Sequence, residues 1–347
     1  EAFRDSLYSL LKRNTFLNIK FENMLDTLGE ISRTDIRSLL GEWEKTTPLP
    51  FYSLGEPTLT KITNKGGEEF FVLKMLISNN SDYDGIIHMD IRKDGWWYQP
   101  LEDPRAKTKI EMPAHTSKEF VSVWEDQIRN VEINTMVSGN LPNIISQDIN
   151  NVKQERNKIV KDSIYILPES SFDLPGEIIV DNEDSTLFIL SAPPIVGLLP
   201  KWLDEVEETP FKYSGISWWR PPLQWTATTN DRYYGKYIRS AFVIKSGDGS
   251  QTATWKVPVP EVGQYDLYYH VFKDDELRWN DRLQGEYHFR VAYDSEMEDA
   301  YINLRKANEG WEQLGTYYFS ADTVRVVLTD ECKLRSVTAD AVKIVKR

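Results

Sequence analysis

The sequence predicts a mainly β protein, with a short N-terminal helical segment, an immunoglobulin-like β-sandwich and a second β-sandwich at the C-terminal end. Three observations predict it. Helical periodicity is confined to residues 1–47, short alternating runs fill 55–140 with no helical stretch between them, and strand signals resume at "GEIIVDNED" and run to the C-terminus.

In the first segment Leu7, Leu10, Leu11, Leu17, Phe21, Met24, Leu25 and Leu28 recur at steps of three and four, so one apolar stripe faces a partner. A second helix fits "TDIRSLLGEWEK", with Thr34 as cap, Asp35 in the first turn, and Ile36, Leu39, Leu40 and Trp43 as the stripe. Pro48 ends it. Two such helices make too small a core to stand alone, so they pack on a neighbour.

From residue 55 the runs "PTLTKIT", "EFFVLKMLIS", "GIIHMDI", "KTKIEM", "KEFVSVW" and "VEINTMV" are separated by the turn clusters "NKGGE", "NNSDYD", "KDG" and "PAHTS". Strands at that spacing without intervening helices suggest an immunoglobulin-like sandwich, although no cysteine pair supports a true member of that class. The polar stretch from Pro142 reads as a connection. The expected organisation is therefore a helical segment at 1–50, the first sandwich at 51–142, a linker at 143–172 and the second sandwich at 173–347. A Pro- and Trp-rich insertion interrupts the last at about 190–232.

Composition excludes several classes. At 347 residues and 40% hydrophobic content, with a mean hydropathy of -0.48, the chain is an ordinary core-forming protein. A net charge of -13 and a pI near 5.0 argue against nucleic acid or an anionic membrane as the main partner, since counterion release needs clustered Lys and Arg. No apolar run is long enough to span a bilayer. The chain begins with Glu1 and carries no basic-then-apolar leader, which is expected of a mature protein or an excised fragment. Cys332 stands alone, so no intramolecular disulfide and no cysteine metal cluster is expected.

The final 170 or so residues carry "EIIVDNED", Trp225, "YYGKYIRSA", "TATWKVPVPEVGQYDLYYHV", "GWEQLGTYYFSADTVRVVLTD" and "VTADAVKIV" in an order that resembles the golvesin / xanthan lyase carbohydrate-binding-like domain. The resemblance implies a jelly-roll-like β-sandwich, an accessory role beside a catalytic or anchoring part, and a periplasmic or extracellular location. The long insertion before Trp225 departs from the family pattern, so a ligand surface there is particular to this chain. At the extreme C-terminus Val337, Ala339, Ala341, Val342 and Ile344 do not share one face of a period-two strand. The resemblance makes this segment the closing strand and gives Asp340 a turn-capping or strand-locking role. A shorter stretch, "ISRTDIRSLLGEWEKTTPLPFYSL", is similar to the end of the helical domain of gluzincin aminopeptidase-like proteins, where a helix precedes a β-sandwich.

Catalytic motifs are wanting. His88, His115, His270 and His288 are scattered, and there is no H-E-x-x-H zinc motif, no G-x-S-x-G elbow and no phosphate loop. "GDGS" at 247–250 reads as a hairpin turn, and the 54 acidic residues select no pair for glycoside hydrolysis. "DNED" at 181–184 and "DSEMED" from Asp294 offer oxygen ligands without the spacing of a calcium loop, and read as solvated strand ends. No cofactor is expected.

The aromatic pairs are the strongest lead. "SWWRPPLQW" presents Trp218, Trp219 and Arg220 in a Pro-rich loop, where flat rings suit the C–H faces of sugars and the guanidinium suits their hydroxyls. The bland alternatives are packing under the insertion or a contact between domains. Trp96 and Trp97 sit beside a turn, one facing the core and one outward. Trp255, Tyr265, Trp311 and Phe319 read as core. The functional expectation is a noncatalytic binding region of a secreted or periplasmic bacterial protein, with polysaccharide or another envelope component as partner. The alternatives are the structural C-terminal region of a larger zinc peptidase-like enzyme, with an upstream domain as partner, or a protein–protein interaction module.

Overall fold

A computed structural model describes residues 2–13, 20–33, 35–40, 48–64, 66–93, 99–149, 152–156, 160–168, 176–191, 212–217, 219–273, 285–320 and 322–347. The chain folds as two units, Glu1–Leu49 and Pro50–Arg347.

The first unit is helical: α1 (Ala2–Arg13), α2 (Phe21–Ser32) and α3 (Ile36–Leu40). Leu10, Leu25, Leu28 and Ile36 close its small core, with Leu7 and Met24 against it. Leu11 and Phe21, expected in the stripe, are exposed. The cap of α3 is Asp35, whose Oδ1 accepts the Ser38 N–H at 3.0 Å. The expected cap Thr34 and the stripe residue Trp43 lie outside the described residues, as do Leu17, Trp96 and Trp97.

The second unit holds two sandwiches. In the first, β1 (Tyr52–Leu54), β2 (Thr58–Thr63), β3 (Glu69–Asn79), β4 (Gly85–Lys93), β5 (Gln99–Pro100) and β6 (Lys107–Met112) are followed by β7 (Thr116–Trp124), β8 (Ile128–Asn134), β9 (Ile144–Asp148), β10 (Val152–Arg156) and β11 (Ser163–Pro168). One sheet runs β10-β2-β3-β7-β11 with β1 also on β3. The other runs β5-β4-β8-β9 with β6 also on β4. Alternation decides the inner faces: Leu73, Met75 and Ile77 of β3 meet Ile87, Met89 and Ile91 of β4 in one core. On the opposite face of β3, Val72 joins Ile62 and Val121 in a second small cluster, so that strand is covered on both sides.

The segment 143–172, expected as a linker, supplies β9, β10 and β11 to these sheets. They lie at sheet margins, where a strand needs few apolar residues, and β10 adds to β2 in parallel. A polar composition hid β9 and β10, whereas β11 is apolar but exposed along its length.

The second sandwich comprises β12 (Glu177–Val180), β13 (Phe188–Leu190), β14 (Thr226–Thr229), β15 (Ser240–Lys245), β16 (Thr252–Pro258) and β17 (Gly263–Val271). It continues with β18 (Glu286–Tyr293), β19 (Glu296–Asn303), β20 (Gly310–Phe319), β21 (Thr323–Thr329), β22 (Ser336–Ala339) and β23 (Val342–Lys346). A four-stranded sheet β12-β23-β17-β20 and a five-stranded sheet β13-β16-β21-β18-β19 enclose the core, with β14-β15-β22 as a third sheet. Trp255, Tyr265, Tyr269, Phe289 and Phe319 are its large buried rings.

Two turns have clear causes. Asp294 and Ser295 join β18 to β19 with φ of 46° and 72°, the left-handed pair that a two-residue hairpin of matching twist requires. "GDGS" is not a hairpin, because β15 and β16 belong to different sheets. It is a crossover shaped by Asp330, whose Oδ1 accepts the Gly249 and Gln251 N–H groups at 2.8 and 3.2 Å.

The sandwiches touch through the loop after β8. The Leu141 N–H donates to the Tyr237 carbonyl at 3.0 Å, the Arg239 N–H to the Leu141 carbonyl at 2.6 Å, and the Phe51 and Tyr237 rings lie 5.3 Å apart. Asn140 holds that loop to β1. Its amide accepts the Tyr52 N–H at 2.9 Å and donates to the Tyr52 carbonyl at 2.8 Å, all in the interior. Asn140→Ala leaves both backbone groups buried and unpaired, so chemical denaturation should show a loss of roughly 2 to 4 kcal/mol.

Candidate functional site

The last two strands explain the irregular C-terminus. β22 pairs with β15 in the three-stranded sheet, whereas β23 pairs with β12 and β17 in the four-stranded sheet. The chain changes sheets at Asp340 and Ala341, so Val337 and Ala339 face the core from one sheet and Val342 and Ile344 from another.

Asp340 is fully buried at that corner. Its carboxylate accepts the Tyr234 N–H at 3.1–3.2 Å and meets His270 Nδ1 at 2.8 Å, while its carbonyl accepts Trp255 Nε1 at 3.2 Å. Burial raises the carboxyl above its ordinary range, and His270 opposes the rise. This geometry locks strands together, as expected for Asp340.

The "DNED" turn between β12 and β13 packs on the same region. Asp184 Oδ2 accepts the Asp181 N–H at 2.8 Å, and the Asn182 amide lies 2.7 Å from the Ser240 hydroxyl. Burial would raise Glu183, but hydrogen bonds from Lys212, Ser240 and Tyr213 hold it below its ordinary value. Asp181 goes the other way: burial, reinforced by the Asp340 charge, pushes it up to about 9. The turn is thus engaged within the protein instead of forming a solvated strand end. Among the described residues no cluster of His, Cys, Asp and Glu has the arrangement of a metal site.

The outer face of the four-stranded sheet is aromatic. Tyr265, Leu267, Tyr269 and Val271 of β17 point inward, so Asp266, Tyr268 and His270 point outward. His270 stands opposite Trp311 of β20, with ring centroids 5.1 Å apart at 77°, and Tyr234 lies 5.1 Å from the same indole. Lys343 Nζ sits 4.8 Å from the Trp311 ring and 5.3 Å from the Tyr268 ring, and pairs with Glu177 at 3.0 Å. Trp311 is therefore half-buried on the outer face, not a core residue. Trp255, Tyr265 and Phe319 are core residues. A register shift between Leu267 and Tyr268 aligns Trp311 with an outward-facing partner, which the sequence of β20 alone does not reveal.

The loop before β14 places Trp219 at 76% exposure, with the Arg335 guanidinium 5.1 Å from its ring centroid. Arg220 is exposed, and its N–H closes a turn on the Ser217 carbonyl at 2.9 Å. Leu223 adds an exposed apolar group beside them in sequence. Trp218 lies outside the described residues. Arg335, brought in from the loop after β21, has no signal in the sequence near Trp219.

Comparison with known proteins gives the C-terminal module a family. Residues 221–346 match the family model of the Golvesin C-terminal domain. The matched span holds Tyr234, His270, Trp311, Asp340 and Lys343, and stops just short of Trp219 and Arg220. Strands β12 and β13 lie before it, yet they complete the four- and five-stranded sheets of the Golvesin-type module. No curated protein matches the chain. Among solved structures, a calcium-binding mutant of Bacteroides uniformis beta-glucuronidase 2 is 11% identical, with 93% of this chain and 32% of that chain covered and a TM-score of 0.22. A second Bacteroides uniformis beta-glucuronidase structure is 11% identical over 91% of this chain and 32% of its own, also at 0.22. The Sulfolobus Turreted Icosahedral Virus structure is 11% identical, with 87% of this chain and 94% of that chain covered, at 0.18. The chain spans about a third of the length of the two glucuronidase chains, and scores this low establish no shared fold.

The Asp181 shift sets a pH dependence. A carboxyl raised in the folded state keeps its proton there after the unfolded chain has lost it, so its contribution to stability falls as pH rises from the ordinary carboxylate range towards about 9. Asp181→Asn removes that burden. Melting curves should show the variant gaining on the wild type progressively between pH 4 and pH 9, on the scale set by the Asp181 value.

Proposed function

We propose that this chain is a noncatalytic accessory region of a secreted or envelope-located bacterial protein, and that its Golvesin-type module binds polysaccharide. The observation that carries the reading is the family match over 221–346, since domains of this type are noncatalytic modules typical of secreted proteins. Chemistry at the surface agrees with it. Trp219 offers a largely exposed indole beside Arg335 and Arg220, the combination of stacking face and donors that suits a sugar ring. None of the helices among the described residues is long and apolar enough to cross a membrane.

A second reading, a spacer or protein-docking region of a larger enzyme, draws support from β11. Ile164, Tyr165, Ile166 and Leu167 are all exposed along this strand at the margin of its sheet, which invites another chain.

Affinity electrophoresis of the whole chain in gels containing neutral and acidic polysaccharides tests the first reading. Retardation is expected, and Trp219→Ala should weaken it by on the order of 1 to 3 kcal/mol, the scale of burying such a side chain. The melting temperature should hardly change, because truncating so exposed a ring leaves no cavity. Unchanged mobility in every gel would sink the reading.

A further inference from the structure

The outer face of the five-stranded sheet carries a groove of about 500 Å³. Its floor comes from β16, β21 and β18, whose inward residues Ala253, Trp255, Val257, Val326, Leu328, Phe289 and Val291 fill the core and turn their neighbours outward. Those neighbours include Lys256, Arg325 and Arg290.

Three features of these cations call for an anion. Lys256 and Arg325 are directly opposed in the β16–β21 ladder, a like-charge placement that destabilises a sheet. Arg290 Nε is buried without a hydrogen-bond partner. Asp299, the ladder neighbour of Arg290, is turned to His288 Nε2 at 2.8 Å. Among the described residues none of the three cations is paired with a carboxylate, in a chain of net charge -13. The outer face of the four-stranded sheet is the contrast, for there Lys343 pairs with Glu177 and Arg347 with Asp266.

We propose that this groove binds the carboxylates of an acidic polysaccharide, a proposal that rests on the polysaccharide-binding reading and names the class of glycan. Guanidinium groups match a carboxylate with paired N–H donors, and the hydroxyls of Thr252 and Thr254 in the same groove match sugar hydroxyls. Ile189 and Met297, 44% and 65% exposed, give apolar contact for the C–H faces of the rings. The floor strands β16, β21 and β18 each have a ladder partner on both sides, so no free edge is present at which a peptide could add as a strand.

Titration of the full chain with polygalacturonate, with its carboxyl-reduced neutral form and with poly-glutamate tests the proposal. Polygalacturonate should bind, more weakly as salt rises, and the reduced polymer should bind at least about ten-fold less tightly, the scale of a lost charge-assisted pair. Arg290→Ala and Arg325→Ala should each cost polygalacturonate affinity by a similar factor. Arg325 is exposed, so that variant keeps its melting temperature and the test stands even where Arg290→Ala unfolds. Equal affinity for the acidic and reduced polymers, with no effect of Arg325→Ala, overturns the groove while leaving the polysaccharide reading in place. Failure to bind any glycan overturns both. Equally tight poly-glutamate binding with the same arginine dependence assigns the groove to an acidic protein and overturns the glycan.

Discussion

The buried carboxylate of Asp340 sits where the three sheets of the C-terminal module meet. The chain leaves the β14-β15-β22 sheet and enters the β12-β23-β17-β20 sheet at this residue, and Trp255 of the five-stranded sheet reaches its carbonyl. A backbone that changes sheets loses ladder partners at the corner, and polar groups left unpaired in an interior are costly. The carboxylate supplies the missing acceptor to Tyr234 and fixes the face that His270 presents to Trp311. Core packing on one side of β17 and the aromatic cluster on the other thus meet at one residue, the first through its backbone carbonyl and the second through its carboxylate.

That arrangement also divides the local acids by environment. Asp340 has His270 and a backbone donor, and Glu183 has Lys212, Tyr213 and Ser240. Asp181 has burial and the charge of Asp340 against it, and is driven to hold its proton. Burial thus raises both Asp340 and Asp181, whereas Glu183 in the same small region is held below its ordinary value by its three partners.

Much of the fold was legible because alternation survives wherever one face of a strand is buried, as in β3, β16 and β17. Legibility failed where sheet context, not the strand itself, decides the outcome. β9 and β10 are polar because marginal strands bury little, and they passed for a linker. "GDGS" has the composition of a hairpin turn, yet which sheet its flanking strands join is settled by distant partners, β22 for one and β21 for the other. Among the aromatic residues, Trp255 and Phe319 fall on core positions, whereas the pairing of Trp311 with His270 passes through a register shift in β17. Asp340 was visible as an acid within an apolar segment, but Tyr234 and His270, which satisfy it, are distant in sequence and left no mark near it.

The two outer faces of the module differ in how far the protein completes its own chemistry. On the four-stranded sheet Asp266 is taken by Arg347 and Gln313, and Lys343 by Glu177 and two rings. A ligand there would have to displace contacts already made, and gains only the difference between old and new partners. On the five-stranded sheet, opposed cations and an unpartnered guanidinium nitrogen mean that an arriving anion relieves repulsion and fills a vacant hydrogen bond at once. The same sandwich core supports both faces, since alternate residues of each strand are free to vary once their neighbours have filled the interior. The outward residues of β16, β18 and β21, on which the proposed recognition rests, can therefore change while Asp340, Trp255 and the inward rings keep the sheets in place.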